Sequence, residues 1–270
     1  MPLTCEALIC AQTNINAEVD VLAAIDGSSL TTRFGWGKPR ITHALAQIDT
    51  DDIQRAWCVP SGYNDPNGFE IESVNIYAAA NGFNLTQARL PIPVEVPENT
   101  PLTISAQSET AANTRCEVWM MLEYPNGPGN FVAPATSGKG LVKRQWEHGA
   151  ALGSNTPANS TNINDLQPGR KYQIIGLGKG AVNGATAGLV GPCYFGLQTN
   201  HTNGSNWWIP IPNAAVYQTA GTGESWVDFA DVGLKSPVIS GGTPFLTRCV
   251  GFTAEQPQAE IQFAVDKVFA

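Results

Sequence analysis

A glycine-rich stretch, "GLGKGAVNGATAGLVG" at residues 176–191, is of the kind that can surround a phosphate. A P-loop needs a lysine followed by Ser or Thr, because that hydroxyl holds the magnesium ion. Here Lys179 precedes Gly180, and the other Gly-Lys pair has Lys139 before Gly140. A dinucleotide fingerprint also needs an α/β setting, whereas the surroundings are β-type. We therefore interpret the stretch as a loop that leaves a strand, and we predict no cofactor.

The three histidines, His43, His148 and His201, are candidates for a general base or a metal ligand. Their spacing matches neither HxH nor HExxH, the patterns that place two zinc ligands on one element. A Ser-His-Asp or Cys-His set could still assemble in space, but no local nucleophile signature accompanies it. We predict structural, hydrogen-bonded histidines, no catalytic residue, no metal ion and no enzymatic activity.

Two acidic segments, "DTDDI" (49–53) and "NDPNG" (64–68), carry oxygen ligands of the type that calcium prefers. The first also reads as the start of a short helix over 50–57, with Thr50 as its cap and aspartates at the positive end of the helix dipole. The second is a turn signal. Calcium at either segment remains an alternative.

Trp207 and Trp208 lie side by side in "NGSNWWIPIP" (203–212). Exposed tryptophans stack on sugars or form protein contacts, so we predict an exposed loop contact at this pair. The alternative is that one of the two rings packs inward and anchors the loop.

The charge content indicates what the chain does not bind. Charged residues make up 14% of the chain and the net charge is −8, against about 25% charged residues in an average globular domain. The densest basic segment, 139–146, has only three cations, and binding to phosphates needs more. We expect no direct nucleic-acid binding. A surface that is polar but poor in charge is common in β-proteins that contact copies of themselves, because buried charge is costly.

The six cysteines are scattered and form no CxxC pair, and the N-terminus lacks the pattern of a signal peptide. We expect reduced, buried thiols. No apolar run approaches the 18 residues that a membrane-spanning helix needs.

Frequent glycine and proline (27 and 19 residues) divide the chain into short β-type runs. Such runs indicate an all-β fold of sandwiches or barrels. In the run 17–25 the alternation places these residues on one face: Val19, Val21, Ala23 and Ile25. In the run 260–269 it places these inward: Ile261, Phe263 and Val265.

Internal similarity indicates a duplication. Residues 100–123 align without gaps on 243–266, with the same strand, polar turn and strand. Residues 66–77 resemble 166–178 at a different offset, which implies an insertion of about 42 residues in the second copy at 178–236. We predict two tandem jelly-roll β-sandwich domains.

The predicted boundaries follow from this alignment. The first domain covers residues 1–128 and the second 139–270, and the Pro- and Gly-rich segment 129–138 is a linker.

The last strand of the first copy, "EVWMMLEY", carries Trp119 and Met121 on the face that is polar in the second copy. That face must be covered by the other domain or by another subunit. We therefore place a candidate assembly interface at Trp119 and Met121.

Two β-sandwiches in tandem with a long loop and no catalytic motif resemble the double jelly-roll major capsid proteins of icosahedral, often membrane-containing, bacterial and archaeal viruses. The resemblance covers nearly the whole chain. It implies a homotrimer with a pseudo-hexagonal outline and contacts to neighbouring capsomers and to minor capsid or penton proteins. It also implies a possible internal lipid membrane, and a location in the virion and, during assembly, in the host cytoplasm.

Two other functions remain open. One is a two-domain carbohydrate-binding module or glycan-active hydrolase, favoured by the Trp207–Trp208 pair. The other is a fibre or tail adhesin.

Overall fold

The protein is represented by a computed structural model, and almost all of its regular structure is β. The structure describes residues 3–15, 19–48, 54–75, 85–108, 114–147, 157–159, 166–183, 193–211, 226–242, 246–251 and 256–266. Within these ranges there are two four-residue helices, α1 (Leu85–Ala88) and α2 (Thr199–Thr202). The all-β prediction is confirmed. Neither of these helices has the length and apolarity to cross a membrane.

The contacts divide the chain into two compact units. The first comprises Glu6–Gly127, and the second comprises Pro128–Ala270 together with the N-terminal Pro2–Cys5. The segment predicted as a linker contains a strand of the second unit, β11 (Phe131–Val132), whose Phe131 is buried.

The first unit consists of two mainly antiparallel sheets. Its strands are β1 (Thr4–Ile15), β2 (Val19–Val21), β3 (Ala23–Ala24), β4 (Arg40–Ile48), β5 (Gln54–Pro60), β6 (Phe69–Ile71), β7 (Ser73–Asn75), β8 (Arg89–Glu95), β9 (Leu102–Ser108) and β10 (Thr114–Tyr124). The larger sheet has the order β3-β1-β10-β4-β7, with β8 also paired to β4. The smaller sheet has the order β2-β9-β5-β6.

The second unit is built in the same way. After β11 its strands are β12 (Lys139–Glu147), β13 (Ala158–Asn159), β14 (Lys171–Asn183), β15 (Cys193–Leu197), β16 (Trp208–Pro210), β17 (Trp226–Asp228), β18 (Ser236–Ser240), β19 (Thr247–Gly251) and β20 (Gln256–Asp266). The larger sheet has the order β11-β18-β14-β20-β12, with β17 also paired to β14. The smaller sheet has the order β13-β19-β15-β16.

The two units share one strand order. In the larger sheets, β1-β10-β4 corresponds to β12-β20-β14; in the smaller sheets, β2-β9-β5-β6 corresponds to β13-β19-β15-β16. Each unit is a jelly roll, because its last strand pairs with β1 or β12 and its chain passes back and forth between two sheets. The predicted fold class is confirmed. The equivalence of β9 and β10 with β19 and β20 also agrees with the alignment of 100–123 on 243–266.

The other alignment is wrong. Gly68 precedes β6, in the smaller sheet of the first unit, whereas Gly169 precedes β14, in the larger sheet of the second. Both glycines have a positive φ (66° and 78°), so the similarity reflects a shared need for glycine in a tight turn. The described part of 178–236 is therefore not an added loop. It supplies β15, β16 and β17.

Two local predictions are also wrong. Val21 is 62% exposed while Leu22 is 1% exposed, because the chain crosses from the smaller sheet to the larger one between β2 and β3. The part of the predicted helix 50–57 that is described, Gln54–Trp57, belongs to strand β5; residues 50–53 lie outside the described ranges. By contrast, Ile261, Phe263 and Val265 point inward as predicted, since all three are buried.

Alternation along the strands explains the core of the first unit. β9 contributes Leu102, Ile104 and Ala106 to one buried cluster, and β10 contributes alternate residues to the same cluster. The β10 residues in it are Cys116, Val118, Met120, Leu122 and Tyr124. Each large apolar side chain buried in this way stabilises the fold by roughly 1.5–3 kcal/mol.

Substituting Gly68 with alanine tests the turn before β6. An alanine Cβ at Gly68 would lie 2.0 Å from the Cys58 carbonyl oxygen, whereas one at Gly62 would meet no atom within 4 Å. Both positions have a positive φ, so Gly62→Ala is the matched control and should cost about 1 kcal/mol. We expect Gly68→Ala to lower the free energy of unfolding by roughly 3 kcal/mol or more, measured by urea denaturation. Equal effects of the two substitutions would contradict the described packing of this turn.

Candidate functional site

Strand β10 is buried on both of its faces. Val118, Met120 and Leu122 point into the sandwich core, and the alternate residues Glu117, Trp119, Met121 and Glu123 are buried on the other side. Across the strand pair, Trp119 faces Leu45 and Met121 faces His43, and both of these β4 residues are buried too. Along β10 and β4 the outer face of this sheet is therefore a buried layer of apolar and charged side chains, and not a solvated surface.

This burial bears on the assembly interface predicted at Trp119 and Met121, because buried side chains are not available to another subunit. Their exposed fractions are 0% and 2% in a single chain, so the chain itself covers them. The alternation in the sequence indicates that a face is covered, but it does not say by what. A contact between subunits at these two residues remains a prediction, and no exposed patch at them supports it.

The corresponding face of the second unit is polar. On the edge strand β12, Lys143 forms an ion pair of 3.2 Å with Glu260 of β20, and Lys139 pairs with Asp266. The hydrogen bond from Lys139 lowers the pKa of the Asp266 carboxyl group. Between the two lysines, Leu141 is 59% exposed. The two copies of the fold therefore differ on this outer face.

Trp207 and Trp208 are core residues of the second unit. Each is 1% exposed, so the predicted exposure of this pair is wrong. The Trp207 ring contacts Phe131, Phe195 and Phe229 at centroid distances of 6.1–6.4 Å, and its indole N–H donates to the Lys235 carbonyl oxygen at 3.2 Å. The structure agrees with the alternative prediction, in which a tryptophan packs inward and anchors the segment.

Trp208 packs closely on the neighbouring strand. A Cβ at Gly196 would lie 2.5 Å from the Trp208 ring, so only glycine fits at that position of β15. On the other side, the Arg248 guanidinium lies 5.0 Å from the centroid of the Trp208 ring. Neither tryptophan offers a free ring face for a sugar.

The residues considered for catalysis have structural partners. His43 is buried and hydrogen-bonded to the Thr42 hydroxyl at 2.8 Å, and the ring of His201 accepts a hydrogen bond of 3.5 Å from the Leu246 amide. His148 lies outside the described residues. Among the described residues no cluster of three or more His, Cys, Asp or Glu side chains could hold a metal ion.

The glycine-rich stretch begins inside a strand. Residues 176–183 belong to β14, and a Cβ at Gly176 would lie 2.3 Å from the Trp226 ring. Gly176 therefore permits β17 to pack closely on β14, and the rest of the stretch, 184–191, lies outside the described residues. The interpretation of the whole stretch as a loop is wrong for the part that is described.

Of the two acidic segments, 64–68 forms the expected turn. The amides of Asn67 and Gly68 donate to the side chain and the carbonyl of Asp65 at 2.9 and 3.0 Å. Segment 49–53 lies outside the described residues.

A loop that sequence reasoning missed combines an ion pair to a buried carboxylate with an exposed aromatic ring. In this segment, Thr32–Lys38, which we call the Phe34 loop, Arg33 donates from Nε to both carboxylate oxygens of the buried Glu6 at 3.0 and 3.1 Å. This hydrogen bonding raises the pKa of the Arg33 guanidinium. Phe34, the next residue, is 81% exposed. The available signal was an aromatic-glycine repeat, "RFGWGK".

No protein-family model matches this chain, and no curated protein matches it either. Two solved structures are similar over nearly its whole length. One is the major capsid protein P2 from bacteriophage PM2, with 11% identity, coverage of 98% of this chain and 99% of that chain, and a TM-score of 0.26. The other is the STIV MCP, with 10% identity, coverage of 98% and 97%, and a TM-score of 0.29. The fold described above rests on the strand order within each unit and not on these two likenesses.

The buried outer face of β10 gives a first prediction for this site. We expect Trp119→Ala to lower the free energy of unfolding by about 3–5 kcal/mol, because it leaves a cavity in a packed layer. Leu141→Ala, at an exposed position of the second unit, is the control and should change stability by no more than about 0.5 kcal/mol. Urea denaturation followed by tryptophan and tyrosine fluorescence measures both. If Trp119→Ala left stability unchanged, the buried layer would not exist.

The thiols give a second prediction. All six cysteines are buried and none forms a disulfide. Burial raises the pKa of Cys58 to about 12 and also raises the pKa values of Cys10 and Cys249. At pH 8 the thiolate of Cys58 is then roughly 10⁻⁴ of the total.

We therefore expect no reaction with a thiol reagent such as DTNB at pH 8 in the native protein. All six thiols should react once urea unfolds it. Rapid modification of Cys58 in the folded protein, located by mass spectrometry, would contradict its described burial.

Proposed function

We propose that this protein is a structural capsid subunit, a major capsid protein whose copies tile an icosahedral viral shell. The observation that carries the proposal is the repetition of one jelly-roll strand order in two units of a single chain. A fold alone hosts many functions, so the character of the interior and of the surface also matters.

The interior supports a structural role. Within the described ranges, the histidines, tryptophans and glycines that could serve chemistry pack instead against neighbouring strands and rings. The described residues also carry an open depression lined by Arg55, Glu70 and three neighbours. Its Arg55 and Glu70 form an ion pair with each other at 3.3 Å.

The surface supports assembly. With 14% charged residues, the chain has few charges to desolvate when copies meet, and desolvation is the main cost of polar interfaces. Many weak contacts then close a shell, because each new subunit binds several neighbours at once.

The finer proposals follow from the same role. The subunit forms a homotrimer, the trimers contact neighbouring capsomers and minor capsid or penton proteins, and the finished shell can enclose a lipid membrane. The protein is made in the host cytoplasm and resides in the virion. Direct nucleic-acid binding is not expected, since a net charge of −8 repels phosphates.

The carbohydrate-binding alternative loses its main support. It relied on an Asn-rich surface and on exposed rings at Trp207 and Trp208, and both rings are buried among aromatic side chains and strands. A glycan site would have to use other residues.

Sedimentation of the purified chain tests the proposal. We expect a discrete species of three chain masses that converts to larger closed particles as the concentration rises, visible by negative-stain electron microscopy. A chain that stays monomeric across the micromolar range and is retarded on a glycan resin would favour the alternative. Long unbranched fibres would favour an adhesin.

A further inference from the structure

The Phe34 loop is fixed at both of its ends. On its N-terminal side, the Thr32 hydroxyl donates to the Pro97 carbonyl at 2.7 Å and accepts from the Thr100 amide at 2.8 Å. The Arg33 amide donates to the Tyr124 hydroxyl at 3.1 Å. On its C-terminal side, the Trp36 carbonyl accepts from the Asn126 amide at 2.9 Å.

The ring contacts beneath the loop strengthen this anchorage. Trp36 meets Tyr124 edge to face with centroids 5.4 Å apart, and the Arg33 guanidinium lies 5.4 Å from the centroid of the Trp36 ring. Gly37 has a φ of 80° and no space for a Cβ, which would lie 2.6 Å from the Pro125 side chain. Every residue around Phe34 is therefore held, while its own ring points into solvent.

An exposed aromatic ring on an already ordered loop is the arrangement of a binding anchor. Contacts that order a loop before binding reduce the conformational entropy that the loop loses on binding. Aromatic anchors of this kind contribute most of the energy in many protein interfaces. The Phe34 side chain contributes little to the packing of the fold, since Phe34 is 81% exposed.

The charges around the loop favour a protein over a lipid surface. Each nearby cation already has a carboxylate partner: Arg33 has Glu6, Arg40 has Glu123 at 3.5 Å, and Lys38 has Glu95 at 4.0 Å. The Arg33 guanidinium is held by a buried carboxylate, and the net charge of −8 on the whole chain disfavours an anionic lipid surface. A paired polar rim around one apolar residue matches the anatomy of protein interfaces.

We infer that the Phe34 loop is a preformed contact element and that the Phe34 ring packs on a second copy of this chain. The identity of the partner rests on the proposed self-assembly. The placement of the contact rests on the exposure of Phe34 and on the anchorage of Thr32, Arg33 and Trp36. The loop thereby determines where copies meet in the first unit.

The test compares Phe34→Ser with Val21→Ser, which removes another exposed apolar side chain of the same unit. Both variants should keep the melting temperature of the wild type, because neither side chain is packed. By analytical ultracentrifugation, Phe34→Ser should weaken association about thirtyfold, the loss expected for an interface hot spot. Val21→Ser should associate as the wild type does.

A second experiment identifies the partner directly. Phe34 is replaced by the photoreactive p-benzoyl-phenylalanine, and illumination of the assembling protein should give a covalent product of two chain masses. In parallel, wild type and Phe34→Ser are sedimented with vesicles of phosphatidylcholine and phosphatidylglycerol. Vesicle binding that depends on Phe34 would overturn the inference in favour of a lipid surface.

The outcomes separate the two proposals. If the wild type assembles, and Phe34→Ser assembles equally well without a crosslink between chains, the inference about this loop is wrong and the capsid proposal survives. If the wild type itself never associates, the capsid proposal and the inference both fail.

Discussion

The structure depends on one set of long-range strand pairings. In each unit the last strand is an inner strand of the larger sheet: β10 lies between β1 and β4, and β20 lies between β12 and β14. These pairs join parts of the chain that are far apart in sequence, so the sheet closes only when the end of the unit is in place. Such closure is entropically costly and slow, and burial on the strands must compensate for it.

The two units meet this requirement differently. The central strand β10 is buried on both faces, with Val118 on one side and Trp119 on the other. The equivalent strand β20 is apolar on one face only, and its other face carries Glu260 and Asp266 in ion pairs with the edge strand. Exposed ion pairs contribute little to stability, so this second outer face is built for solvent or for a polar contact. One strand order thus supports a doubly buried sheet and a half-solvated one.

The parts of this arrangement that depend on local pattern could be predicted from the sequence. Alternation in β10 and β20 predicted the inward residues, the covered face beside Trp119 and the duplication. It could do so because successive side chains of a strand point to opposite faces, and this alternation is visible in the sequence. The turn at Asp65 could also be predicted from its residue types.

The parts that depend on distant partners could not be predicted. Trp207 is buried because Phe131 and Phe229 meet it from remote segments, and its own neighbours in sequence suggested an exposed loop. The segment 54–57 belongs to the helix predicted over 50–57 but pairs with β9 as a strand. The Phe34 loop depends on Glu6 and Tyr124, which lie in two other strands. Tertiary pairing overrides local preference in each case.

A cryo-electron microscopy reconstruction of the assembled particle, at a resolution that separates β-strands, tests the central claim most directly. The account predicts a closed shell in which every chain contributes two sandwiches. In one of them β10 lies between β1 and β4, and in the other β20 lies between β12 and β14. A particle whose chains hold one continuous sheet system, or whose two halves differ in strand order, would contradict it.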